Sequence, residues 1–113
     1  MAAEKLIDEK GKTVVMLYDG IITFLEKARS SKGDTSKNYI KKAQDVISYL
    51  KESLDFEKGG LIASNLNSLY TFMIDHLQRA NVLGEKEAID DVIRILVKLK
   101  GAWEEVVERR ATP

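Results

Sequence analysis

Residues Lys42 to Asn81 read KAQDVISYLKESLDFEKGGLIASNLNSLYTFMIDHLQRAN. Apolar residues recur here at three and four positions, not at two, which is the period of helix. A single Gly59-Gly60 break divides the stretch into two helical patterns. In the first, Ile40, Ala43, Ile47, Leu50 and Leu54 form an inner stripe, with Tyr39, Val46, Tyr49 and Phe56 as a second stripe beside it. In the second, Ile62, Leu66, Leu69, Met73, Leu77 and Ala80 are the inner stripe. Ala63, Tyr70 and Ile74 widen it on one flank, and Leu61, Asn65 and Phe72 on the other. At about 100° per residue these arcs exceed the stripe that one core needs. Two readings of that width stand side by side: packing of a middle helix between two neighbours, or flanks left for an interaction partner.

The surrounding sequence has the same grammar. Breaks at Ser30–Asp34, Glu57–Gly60 and Asn81–Gly84 leave four helical segments, and the one proline, Pro113, interrupts none of them. Helix 1 is expected from about Lys12 to Arg29, with Val14, Leu17, Tyr18, Ile21, Phe24, Leu25 and Ala28 inward. The segment before it, residues 1–11, reads either as an arm or as an extra turn weakened by Gly11. Helix 2 is expected to start after Asp34-Thr35-Ser36, which offer N-cap side chains. Helix 3 spans Gly60 or Leu61 to Asn81, and helix 4 spans Glu85 to Arg109, with acids at its start and arginines at its end to suit the helix dipole. The fold class is therefore all-α: one domain, an antiparallel four-helix bundle with short connections. Gly20, in mid-helix 1, is read as a point of close packing by helix 4, or as a place where another backbone approaches.

Composition narrows the function. The 113 residues balance 18 Lys+Arg against 18 Asp+Glu, so no basic field points to nucleic acid. There is no cysteine, hence no disulfide and no thiolate metal site. No apolar run approaches the roughly 20 residues of a membrane span, and the N-terminus lacks a secretory h-region, so the expectation is a soluble cytoplasmic protein. No metal cluster, phosphate loop or nucleophile elbow is visible; neither catalysis nor a cofactor is expected. His76 is the one histidine and deserves a direct comparison with phosphotransfer bundles. There, Lys-Gly follows the histidine at the third and fourth positions; here Arg79 and Ala80 stand instead. A histidine at the rim of a core helix is the simpler reading.

Ordered pieces of the chain resemble a known family. Met16-Leu17-Tyr18-Asp19-Gly20-Ile21 with Phe24-Leu25-Glu26-Lys27-Ala28 resembles the first helix of the flagellar export chaperone FliS family. Lys42-Ala43-Gln44-Asp45-Val46-Ile47, Leu50, Leu54-Asp55 and Gly59-Gly60 are similar to its second helix and turn. Ile62-Ala63-Ser64-Asn65-Leu66, Leu69-Tyr70 and Leu77-Gln78-Arg79-Ala80-Asn81 are similar to its third, and Ala102-Trp103-Glu104 to its last.

The resemblance implies a cytoplasmic chaperone that holds the disordered C-terminal segment of flagellin. Its action would be to prevent premature polymerisation and help deliver the subunit to the flagellar export gate, a second partner. The contact residues chosen by helical geometry are Tyr39, Val46, Tyr49, Phe56, Ala63, Tyr70 and Ile74. Family members carry a tyrosine-bearing arm with Ser/Thr-Pro before helix 1, which covers part of the client groove; here Glu9 and Lys10 stand at those places, so the groove is expected to be more open and helix 1 to start earlier. Two alternatives remain at this point: a phosphotransfer module using His76, and a structural bundle whose wide arcs close in a homo-oligomer.

Overall fold

The computed structural model describes the backbone of residues 2–111 and the side chains of residues 11–109. Within them the chain forms α1 (Ala2–Ser30), α2 (Gly33–Glu52), α3 (Phe56–Leu83) and α4 (Glu87–Ala111), with no strand among the described residues. The helices run antiparallel in chain order. α1 packs against both α2 and α4, and α3 closes the ring between α2 and α4. The pairings show in the side chains: Phe24 stacks on Tyr39, Gln44 reaches Ile74 and Gln78, and Arg29 meets Asp90. The core contains Tyr18, Ile21 and Leu25 of α1, Ile40 and Ile47 of α2, Met73 and Leu77 of α3, and Ile89, Val92 and Leu96 of α4. Burying each such side chain contributes about 1.5–3 kcal/mol, which fixes which face of each helix turns inward.

Helix 1 starts earlier than Lys12. α1 is helical from Ala2 and passes through Gly11, where α4 lies so close that a Cβ would sit 2.7 Å from Val107 Cγ2 and 3.8 Å from Trp103 Cε3. Gly11 is thus the point of tight packing between α1 and α4. Gly20 is not: nothing lies within 4 Å of a Cβ built there, so helix 4 does not press on it as the sequence suggested.

The turns also differ in detail from expectation. α2 begins at Gly33, with Lys32 in the N-cap position and no side-chain cap. Ser36 is buried and donates instead to the carbonyl of Ala28 at 2.7 Å, tying α2 to α1. α2 stops at Glu52, so Leu54 and Phe56 are not on its stripe; Phe56 opens α3. The chain reverses over 53–55, where the Asp55 carboxylate accepts the Lys58 N–H at 3.0 Å and caps the new helix. Gly60 then kinks that helix, with φ 50° and ψ −123°, a conformation that only glycine adopts without strain. The expected break at Gly59-Gly60 is therefore a kink inside α3, and the reversal lies before it. At the other end α3 continues past Asn81 to Leu83, and Gly84 closes it with an N–H donated to Ala80 at 3.0 Å.

Candidate functional site

The end of the bundle at the α2–α3 reversal is built differently from the rest. α2 is over by Glu52, while α1 and α4 remain in contact beyond it through Gly11 and Val107. The gap is a cavity of about 360 Å³. Leu50 comes from the last turn of α2 and Leu54 from the reversal after it, Ala63, Leu66 and Tyr70 from α3, Val14 from α1 and Trp103 from α4. Gly59 and Ile62 complete the apolar lining, and Ser53, Asp55 and Lys58 add polar groups to it. An apolar concavity with a few polar groups is the usual form of a site that takes apolar side chains.

A hydrogen-bonded aromatic network backs this cavity. Tyr18 and Tyr70 share a hydroxyl–hydroxyl hydrogen bond of 2.6 Å across the core, and the Trp103 indole N–H donates to the Tyr18 oxygen at 3.2 Å. Burial raises the pKa of both tyrosines above the ordinary value, so the hydroxyls stay neutral and paired. The network satisfies the polar atoms that three helices would otherwise bury unpaired, and it fixes the ring of Trp103 on the cavity wall.

Of the seven residues chosen by helical geometry, Ala63 and Tyr70 line this cavity, although both are buried. Tyr49 and Phe56 stand at the same end of the bundle, 60% and 52% exposed. Val46 and Ile74 are half-buried against the core. Tyr39 lies towards the other end of α2, half-buried, with its ring 6.4 Å from that of Phe24 and the Lys27 and Lys42 ammonium groups 5.7 and 5.5 Å from its centre. The cavity therefore gathers two of the seven, with two more exposed at its end of the molecule.

Ile62 is the chief residue the sequence misplaced. Read as inner stripe, it is 68% exposed and lines the cavity. The buried line of α3 is Ala63, Leu66, Tyr70, Met73, Leu77 and Ala80, a strict alternation of three and four. That alternation was available in the sequence. Choosing the larger Ile62 and Leu69 over Ala63 and Tyr70 turned the face by one position. The contributions of Val14 and Trp103 had no local signal, because they depend on where α2 stops.

His76 has structural partners. Its Nε2 lies 3.0 Å from Asp91 Oδ2, its ring stacks on Phe72 at 5.0 Å, and its side chain is 19% exposed. The His76 hydrogen bond, followed by Arg94, holds Asp91 below the usual carboxylate range. Among the described residues no group of three or more His, Cys, Asp or Glu is placed to hold a metal ion, and no helix is long and apolar enough to cross a membrane.

Comparison with known proteins gives a consistent result. A family model described as "Flagellar protein FliS" matches residues 4–110. The flagellar secretion chaperone FliS of Vibrio cholerae is 37% identical over 99 residues, covering 84% of this chain and 73% of that one. The Campylobacter jejuni protein of the same name is 34% identical over 104 residues, covering 88% and 81%. That of Salmonella typhimurium is 38% identical over 98 residues, covering 82% and 73%.

Proposed function

The chain belongs to the FliS family of flagellar secretion chaperones, and from that premise we propose that its client is the C-terminal segment of flagellin, held at the α2–α3 end of the bundle. The observation that carries this reading is the apolar cavity beside exposed Tyr49, Phe56 and Ile62. A disordered amphipathic segment gains most from such a surface. Its large apolar side chains leave water for the cavity, and the rest of it folds along the helix flanks. A long wrapping contact offsets the ordering cost of about 2–5 kcal/mol or more that coupled folding carries. Ala63 and Tyr70 form the cavity wall in this account, Tyr49 and Phe56 make exposed contacts, and Val46, Ile74 and Tyr39 extend the track along α2 and α3.

Holding that segment in the cytoplasm keeps it from polymerising and leaves the complex free to meet the export gate. The test is calorimetry with a peptide of the flagellin C-terminal segment. Binding on the order of tens of micromolar or tighter, with a negative heat-capacity change, is the expected result. No heat and no competition at that concentration would sink the reading. Light scattering on the same samples separates it from self-association. A homodimer that persists with its apolar flanks covered, and takes up no peptide, would favour the structural alternative.

A further inference from the structure

Given the client site proposed above, on which this rests, we propose that Tyr18 is a positioning residue for it. Tyr18 does not meet the client. Its hydroxyl holds the Trp103 indole as a wall of the α2–α3 cavity and keeps the ring from turning inward as a plug.

Tyr18 is fully buried and lies outside the cavity lining, yet its hydroxyl is bonded to two residues within that lining. Tyr70 of α3 shares a hydrogen bond of 2.6 Å with it, and Trp103 of α4 donates its indole N–H to it at 3.2 Å. One oxygen on α1 thus fixes two aromatic walls carried by two other helices.

Trp103 is the wall most in need of fixing. It is the residue that α4 contributes to the lining, and its side chain is only half-buried. The backbone of α1 passes close to one edge of the ring: a Cβ on Gly11 would lie 3.8 Å from Cε3. Beside the ring lies an apolar cavity of about 360 Å³, large enough to take an indole. An indole has a single polar group, its N–H, and here Tyr18 accepts from it. Without that acceptor the ring gains by turning into the cavity, because apolar surface then leaves water. The client's side chain would compete with it for the same space.

The experiment uses the full chain with Tyr18→Phe, which deletes the hydroxyl and keeps the buried ring. Two ligands are titrated: the flagellin C-terminal peptide, read by calorimetry, and toluene at millimolar concentration, read by the methyl shifts of Leu50 and Leu66 in the lining. Both should weaken about fivefold in Tyr18→Phe, the usual net contribution of one hydrogen bond. The Trp103 indole resonance of the free protein should move as well. In a Trp103→Leu background Tyr18→Phe should weaken neither ligand further, because the ring it positions is gone. Leu77→Ala, a core change outside the lining, should lower Tm and leave both affinities of the folded protein unchanged.

A Tyr18→Phe protein of lower Tm and unchanged affinities would make Tyr18 a structural residue only and overturn the proposal. So would an equal loss in the Trp103→Leu background. Toluene uptake that depends on Tyr18, in a protein that takes no peptide, would remove the client reading and leave the positioning of Trp103 standing. Peptide binding indifferent to Tyr18→Phe would do the reverse.

Discussion

The two ends of this bundle close in different ways. Where α1 meets α2 and α3 meets α4, polar side chains sew the helices together. Ser36 donates to Ala28, Lys86 reaches Ser31, and Arg29 pairs with Asp90 at 2.6 Å. At the α2–α3 end the core opens into an apolar cavity behind a kinked helix start, and Tyr49, Phe56 and Ile62 face water there. The difference teaches that the opening of the core follows from where one helix stops short. Exposed apolar side chains occur elsewhere too, Val82 and Leu83 among them, but at the α2–α3 end they adjoin an apolar cavity, which is the feature the proposed client site rests on.

Core and cavity substitutions should break this contrast most sharply. Leu77→Ala empties a fully buried site and should cost about 2–5 kcal/mol in urea denaturation, leaving client affinity of the folded protein unchanged. Ile62→Ser, at an exposed lining position, should change stability by less than about 0.5 kcal/mol. Combined with Phe56→Ser, it should weaken the flagellin peptide by roughly tenfold or more in calorimetry.

The two glycines of α1 give the next contrast. Gly11→Val drives a side chain into Val107 and should destabilise by about 1–3 kcal/mol. Gly20→Ala meets open space and should stabilise by up to about 1 kcal/mol, since alanine is the better helix former. Equal effects from the two would contradict the packing described. Ser36→Ala, at the sewn end, should cost about 1 kcal/mol through loss of the bond to Ala28.

The smallest effects are in pH. Tyr18 and Tyr70, raised by burial, and Lys100, raised first by its hydrogen bond to Asp19, all have folded pKa values above the ordinary ones. The stability linked to them is complete below about pH 10 and is lost as pH rises beyond it. An alkaline denaturation series should show that loss, and Tyr18→Phe with Tyr70→Phe should flatten it. Asp91 has the opposite sign. Lowered first by His76, it stabilises above about pH 4, and that contribution is lost as pH falls through its depressed folded value. His76→Gln should diminish this acid-side change.

Helical period and turn residues were enough to read the bundle and nearly all of its core. Ile21, Leu25, Ile47, Met73, Leu77, Val92 and Leu96 are repeating apolar positions with no competing signal. The residues assigned to the wrong element or face lie at the α2–α3 end, for a local reason. Leu54 and Phe56 continue the spacing of α2 beyond its last residue, Glu52, while Asp55 caps a new helix between them. The period alone cannot register that change of helix. Gly60 was legible as a break, but its left-handed φ leaves a kink where a full turn was expected. The Tyr18–Tyr70–Trp103 network joins residues far apart in the chain and had no sequence signature.

The central claim is that the client occupies the end where α2 stops. The most direct measurement is a map of backbone amide and Trp103 indole shifts as the flagellin C-terminal peptide is titrated into the isotope-labelled protein. The account predicts the largest changes at Leu50–Tyr70 and at the Trp103 indole, where the cavity lining lies, with the sewn end undisturbed. Shifts concentrated at Ser31–Ile40 and Ala80–Ile89, with a silent Trp103, would contradict it.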